Sequence, residues 1–237
     1  MRRYTIRRTL GAGGIGTVYE ALDRLSAQTV ALKRIEPRTH GPTAADLTDS
    51  GFLQSLTHEF SVLAGLRHPH IITVLDYGVD DHLRPFFTME YLHNAQTLTQ
   101  AAQGRGADAC VVLLLQVLRA LAYLHRHGIL HRDLKPANVL VIADQVRVLD
   151  FGLAALGPIA HEQAGTTRYM TPETLRDGRY ERASDLYVVG VLAYEMLCGR
   201  PPFAAGDALA LLQSAPDLSP LPLPALRPVL ARLLQKQ

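Results

Sequence analysis

His131-Arg132-Asp133-Leu134-Lys135-Pro136-Ala137-Asn138 is the stretch on which the reading of this chain turns. Twelve residues after Asn138, Asp150-Phe151-Gly152 adds a second carboxylate beside a glycine. An acid, a lysine, an amide and another acid in this order suit phosphoryl transfer. Asp133 can orient and deprotonate a hydroxyl. The Asn138 amide and the Asp150 carboxylate are hard oxygen ligands of the kind magnesium takes. Lys135 can neutralise charge on a migrating phosphoryl group. Each motif alone reads as a basic loop or a strand with a turn, but together they specify too many positions for that.

Working outward, 237 residues allow one large domain or two small lobes around a cleft. Hydrophobic residues make up 48% and charged ones 19%, an ordinary soluble composition. A formal net charge of +2 gives no reason to expect nucleic acid as the main partner. The apolar run Cys110–Leu118 is about half the ~20 residues that span a bilayer, and Met1-Arg2-Arg3 leads into polar residues instead of a signal-peptide core. The expectation is a cytoplasmic chain with no membrane segment. Cys110 and Cys198 sit in apolar helical stretches and read as core thiols. His125-Arg126-His127 precedes Gly128, where cations favour a helix C-terminus.

Short apolar segments and turn residues alternate through the first third, the pattern of an antiparallel sheet. A first strand ends at Leu10, Gly11–Gly16 form a turn, and Thr17–Leu22 and Thr29–Ile35 are further strands. Phe52–Leu66 has helical periodicity, with Glu59 near its inward stripe. Ile71–Tyr77 and Pro85–Tyr91 read as two more strands. After Leu92 the periodicity changes: a long helix capped by Asp108 runs to His127. Short strands Val139–Val141 and Val146–Val148 flank a turn at Asp144, and Ser184–Gly199 is a very apolar helix.

Gly11-Ala12-Gly13-Gly14-Ile15-Gly16-Thr17-Val18 fits G-x-G-x-x-G-x-V. A dinucleotide-binding turn has the same glycines but leads into a helix, whereas Thr17-Val18-Tyr19-Glu20-Ala21 reads as a strand. A glycine-rich hairpin can lay its amides over phosphates because no Cβ blocks the approach. Lys33 follows Gly16 by seventeen residues on an apolar strand, where a lysine needs an anion.

These segments together resemble the eukaryotic-type (Hanks-type) serine/threonine protein kinases, in a style akin to bacterial members. The resemblance runs from Tyr4 to about Leu234. It implies an α+β, two-lobed protein-kinase fold. A small antiparallel β-sheet N-lobe with one key helix would span 1–92. A larger, mainly α-helical C-lobe would span 93–237 and stop before the family's last helix, as part of a longer polypeptide. The implied cofactors are ATP and Mg2+, and the implied substrates are Ser/Thr hydroxyls of proteins.

Carried over position by position, Asp133 is the base, Lys135 meets the γ-phosphate, and Asn138 and Asp150 hold the metal. Lys33 holds the phosphates, paired with Glu59. Leu10, Gly11, Gly13, Gly16, Val18, Ala31, Met89, Glu90, Leu92 and Leu140 surround the nucleotide. Glu90 and Leu92 present backbone to adenine, while Met89 guards the back pocket. His93-Asn94-Ala95 departs from the acidic or glycine-rich stretch usual near the ribose.

Gly165 to Glu173 resembles the substrate-docking end of the activation segment, with Thr166 bonding the catalytic Asp and Lys. Asp185 matches the aspartate that holds the catalytic loop backbone. Arg132 implies control by phosphorylation, yet Leu153–Ala164 contains no Ser, Thr or Tyr, so Glu162 is expected to supply a fixed charge. Glu173 is expected to lack its distal arginine unless Arg227 or Arg232 substitutes. The rival reading is a pseudokinase scaffold, and a third is a small-molecule kinase.

Overall fold

A computed structural model of the chain describes residues 3–13, 16–36, 50–151, 167–203, 212 and 214–236. Glu59 and its helix neighbours 50, 52, 53, 55, 56 and 58 are described by backbone alone, as is Thr167. The chain divides into two compact units. One is drawn from Met1–Arg67 and Ile72–His93, the other from His68–Ile71, Asn94–Phe151 and the described part of His161–Gln237.

The strand-forming segments of the first unit pair into one antiparallel sheet: β1 (Tyr4–Gly13), β2 (Gly16–Asp23), β3 (Gln28–Ile35), β4 (Val74–Val79) and β5 (Pro85–Glu90), in the order β1-β2-β3-β5-β4. β1 does not end at Leu10. It continues through the glycines because Gly11, Ala12 and Gly13 stay in register with Val18, Thr17 and Gly16. β4 starts at Val74, not Ile71, because Ile71 bridges Val148 of the second unit's sheet.

Residues paired across an antiparallel ladder share a face. Val18, Lys33 and Phe87 are therefore on one side of the sheet with Ala31 and Met89. The helix α1 (Ser50–Gly65) packs there, with the Phe60 ring 5.1 Å from Phe87. The opposite face carries a buried cluster of Tyr4, Ala21, Val30, Leu32 and Phe86. Arg3 ties the strand ends with a fork onto Asp23 at 2.9 and 2.8 Å and a bond to Asp76 at 2.6 Å. The fork holds the Asp23 carboxyl well below its usual range, against the opposing effect of burial.

The second unit holds α2 (Leu98–Ala102), α3 (Ala107–Arg126), α4 (Pro172–Asp177), α5 (Arg182–Cys198) and α6 (Arg227–Leu233). It also holds a small sheet of β6 (Gln96–Thr97), β7 (Val139–Ile142) and β8 (Gln145–Val148). The N-cap of α3 is Gly106; Asp108 sits in the first turn, where its charge suits the positive helix end. By length and composition α3 could cross a membrane, but here it is the central helix of the unit. It buries Leu113, Val117, Ala120, Leu121 and Leu124 and packs on α5 and β8. α5 is apolar all round because it is enclosed, with Val188, Val191, Leu192 and Tyr194 buried. Cys110 is buried and Cys198 half-buried, both free thiols, and burial pushes both thiols up.

The short stretch His68–Ile71 is pinned to α3 and β8. His68 packs against Tyr123 at 5.0 Å and edge-on to His70 at 5.5 Å, and the Val148 N–H donates to the His70 carbonyl at 2.9 Å. The His70 side chain is buried with Nδ1 lacking a hydrogen-bond partner among the described residues. Burial holds both imidazoles below the usual histidine range, reinforced by His70 and Arg126 for His68 and by Arg147 and Arg119 for His70. A depressed folded value means the unfolded chain takes up protons first as pH falls. The contribution to stability is therefore complete above about pH 6.5 and lost below it. Thermal melts at pH 7.5 and 5.5 should show a midpoint lower by a few degrees in acid, since about 1 kcal/mol is worth about 2–4 °C at this size. His70→Asn should shrink that difference; an identical pH dependence in the variant would refute the assignment.

Candidate active site

In the second unit the loop between α3 and β7 carries Asp133 on a backbone that local propensity does not favour. Arg132, immediately before it, has φ 66°, and Asp150 after β8 has φ 57°. Left-handed backbone at non-glycine residues costs of order 1 kcal/mol or more and persists only where surrounding contacts enforce it. For Arg132 those contacts come from Asp185, fully buried in the first turn of α5. Its carboxylate accepts the backbone N–H groups of His131 at 3.0 Å and Arg132 at 3.2 Å. The sequence expectation for Asp185 matches this geometry.

Asp133 is fixed from its other side by the next turn. Lys135 Nζ lies 3.1 Å from Asp133 Oδ1 and 2.8 Å from Oδ2. Asn138 Nδ2 donates to the Asp133 carbonyl at 2.7 Å and to Oδ2 at 2.9 Å. With its NH2 group engaged by Asp133, the Asn138 amide turns its oxygen away from these partners. The hairpin β7–β8 then brings Asp150 alongside. Val139 pairs with Val148, and the Leu149 N–H donates to the Asn138 carbonyl at 2.9 Å. Two residues, Ala143 and Asp144, make the turn with φ 44° and 60°. The buried Gln116 side chain holds this turn, donating to the Asp144 carbonyl at 3.0 Å and accepting from the Val146 N–H at 2.8 Å. Leu140, half-buried, stands in β7.

His131 is buried, and its Nδ1 accepts from the Asp133 N–H at 3.3 Å. Burial holds this imidazole below its usual range against the pull of Asp185, Asp133 and Asp150. It is therefore a neutral packing residue.

The first unit carries several residues expected on the nucleotide side on one sheet. Val18, Ala31, Lys33 and Met89 share a face, and Lys33 is buried. Leu10 and Gly11 are exposed on β1. Glu90 gives its N–H to the Thr73 carbonyl at 3.1 Å, and its carboxylate accepts the Thr73 N–H at 3.1 Å, which fixes the exit from β5 toward Leu92. The Glu59 side chain, Thr166, Gly152 and Glu162 lie outside the described residues, as does the stretch 153–164.

Glycine chemistry separates two roles among Gly11, Gly13 and Gly16. A Cβ on Gly16 would sit 1.9 Å from the Arg34 carbonyl oxygen, and its φ of 156° is itself open mainly to glycine. Among the described residues, a Cβ on Gly11 or Gly13 would meet nothing within 4 Å. Their bareness serves no packing among the described residues, and a backbone without a Cβ suits a phosphate chain. The oxygens of Asn138 and Asp150 likewise fit magnesium, which uses one or two carboxylates with water and substrate phosphates. Such a site needs no cluster of three His, Cys, Asp or Glu, and none occurs among the described residues.

Two contributors escaped the sequence reading. His125 Nε2 lies 2.7 Å from Asp185 Oδ2, so its role is to meet this carboxylate and not simply the dipole of α3. Tyr180 donates to Asp185 Oδ1 at 2.6 Å. Partners 60 residues apart, as His125 and Asp185 are, leave no local pattern to detect. Glu173 accepts from Ser184 Oγ at 2.9 Å, while Arg227 is bonded to the Ser219 carbonyl. Arg232 lines the same cavity of about 820 Å³ as Glu173 and the buried Tyr187.

An antiparallel five-stranded unit with one packed helix, together with a mainly helical unit bearing an Asp–Lys–Asn loop and a following Asp, is the architecture of the protein-kinase class. Comparison with known families agrees: the protein kinase domain model matches residues 4–217. The chain belongs to the protein kinase domain family. It is 36% identical over 230 residues to a probable serine/threonine-protein kinase PknB of Bifidobacterium longum, covering 88% of this chain and 32% of the relative. With serine/threonine-protein kinase PknL of Mycobacterium tuberculosis it shares 37% over 218 residues, covering 88% and 52%. With the DNA damage-responsive serine/threonine-protein kinase RqkA of Deinococcus radiodurans it shares 35% over 248 residues, covering 98% and 36%. The chain thus spans from about a third to about half the length of these relatives.

Gly16→Ala should destabilise the chain by about 2 kcal/mol or more, read from denaturant midpoints, because the methyl group meets backbone. Gly13→Ala should leave stability within about 1 kcal/mol and instead weaken ATP binding measured by calorimetry. Equal stability losses in both variants would contradict the division of roles.

Proposed function

We propose that this chain is the catalytic domain of an ATP- and Mg2+-dependent serine/threonine protein kinase that phosphorylates Ser/Thr hydroxyls of protein substrates in signalling. The observation that carries the reading is Asp133 clamped between Lys135 and Asn138, with Asp150 delivered by the adjoining hairpin. ATP with its magnesium ion, when bound, supplies the phosphoryl group and balances part of its charge. Asn138 and Asp150 are the residues that would hold the ion through oxygen.

Asp133 accepts the proton of the incoming hydroxyl and aims its oxygen in line with the phosphorus. Lys135, two residues on, offsets negative charge there and matches serine/threonine-specific members of the family. Lys33, with Glu59, would steady the phosphates, and the backbone at Gly11, Gly13 and Gly16 would cover them. Val18, Ala31, Leu140 and Leu10 supply apolar surface for the base, Met89 its back wall, and Glu90 and Leu92 its backbone contacts. Thr166 is assigned by family position to contact Asp133 and Lys135.

Most of the rate comes from positioning and fixed charge, since the protein does little covalent chemistry in this reaction class. A pseudokinase would be expected to have lost Lys33, Asp133 or Asp150, and all three are present.

Incubation with labelled ATP, magnesium and a generic basic protein tests the reading. The wild-type chain should transfer label to Ser and Thr, identified by mass spectrometry. Asp133→Asn should lower kcat by about 10²–10⁴-fold while retaining nucleotide affinity. Asp150→Asn should abolish turnover and the magnesium-dependent part of the thermal shift. Transfer that survives both substitutions would sink the assignment.

A further inference from the structure

We infer that Tyr180 is a positioning residue for phosphoryl transfer, holding Asp133 in its working orientation through Asp185 and the backbone of Arg132. This rests on the reading of Asp133 as the base. The two oxygens of Asp185 do different work. Oδ2 faces His125 Nε2 at 2.7 Å and the His131 N–H at 3.0 Å. Oδ1 takes the Arg132 N–H at 3.2 Å and the Tyr180 hydroxyl at 2.6 Å. The contact to Arg132 is the longest of the four and the one nearest Asp133, and it reaches the residue with left-handed backbone. Tyr180 is what fixes the oxygen that receives it.

The Tyr180 hydroxyl donates to one oxygen of a fully buried carboxylate. Burial first, and then Asp185, push this phenol far above its ordinary range, so it stays a hydroxyl donor. Tyr180 lines, with Asp133 and Arg132, a small cavity of about 20 Å³ that Leu134, Met170 and Val188 also border. Deleting the hydroxyl leaves Oδ1 with only its weakest contact. The carboxylate can then rotate toward its His125 side, and Arg132 can relax from φ 66° toward commoner backbone. Asp133 is the next residue, and a displaced base loses rate steeply with small changes in geometry.

Phenylalanine keeps the ring and removes only the hydroxyl, so Tyr180→Phe isolates this bond. Below its melting temperature the variant should show kcat about tenfold lower with KM for ATP within about twofold of wild type. A purely structural hydroxyl would lower the melting temperature and leave kcat per folded molecule unchanged, and that result overturns the inference. Hydrogen exchange supplies a readout that does not need activity. The amides of His131 and Arg132 should exchange at least about tenfold faster in Tyr180→Phe, with core positions of α3, such as Val117 and Leu121, unchanged. If wild type transfers no phosphate, the kinase reading fails, and unchanged protection at Arg132 separately refutes the clamp. Should Tyr180→Phe fail to unfold cooperatively, exchange in the wild-type chain decides. An Arg132 amide as protected as the α3 core supports the clamp, and one exchanging like an exposed loop overturns it.

Discussion

A fully buried carboxylate on α5 is the constraint from which the loop carrying Asp133 takes its shape. Charge at such depth is costly unless hydrogen bonds replace the lost water. Asp185 gathers two backbone amides, a tyrosine hydroxyl and an imidazole. The amides it gathers belong to adjacent residues, and adjacent N–H groups converge on one acceptor only if the chain turns abruptly between them. The left-handed Arg132 is that turn. The desolvation cost of the acid and the conformational cost of the loop are thus offset by the same four bonds. Removing any donor affects both.

The second source of order is the β7–β8 hairpin. Its register, with Val139 opposite Val148, places Asn138 on the way in and Asp150 on the way out at the same end. Its tight turn is held from α3 by Gln116. Asp133 and Asn138 therefore answer to different supports, the first to α5 and the second to the hairpin. The Asn138–Asp133 hydrogen bonds join them. The loop is short enough that neither support can shift without the other registering it.

Much of this was legible in the chain because certain residue types have few other uses at such spacing. Acid, lysine, amide and acid around a short hairpin announce their chemistry, and strand alternation picked out the members of the five-stranded sheet. Register was harder. The glycine stretch read as a loose turn, yet β1 runs through it, since glycine can stay in a ladder when opposite residues keep pairing. Ile71 read as strand onset, but its ladder partner is Val148, a contact no local pattern encodes. Asp108 looked like a cap because of its residue type; Gly106 holds that position, and the acid takes the first turn, which suits it equally well. His125 and Tyr180 were invisible because their meaning depends on Asp185: the packing of α3 against α5 brings His125 there, and Tyr180 reaches it from the turn that leads into α5.

The distribution of strain explains why the legible motif is not self-sufficient. Arg132 and Asp150, one beside the proposed base and the other a proposed metal ligand, both stand in backbone that an isolated peptide would leave. A segment with these two conformations cannot be preorganised by its own sequence. It inherits its geometry from α5, from the hairpin, and through them from α3, whose apolar length packs against both. A site built this way carries little local freedom to lose when substrate arrives, which is what a reaction depending on alignment and fixed charge requires. The packed helix pair therefore shapes the proposed site as much as the residues that would touch the phosphoryl group.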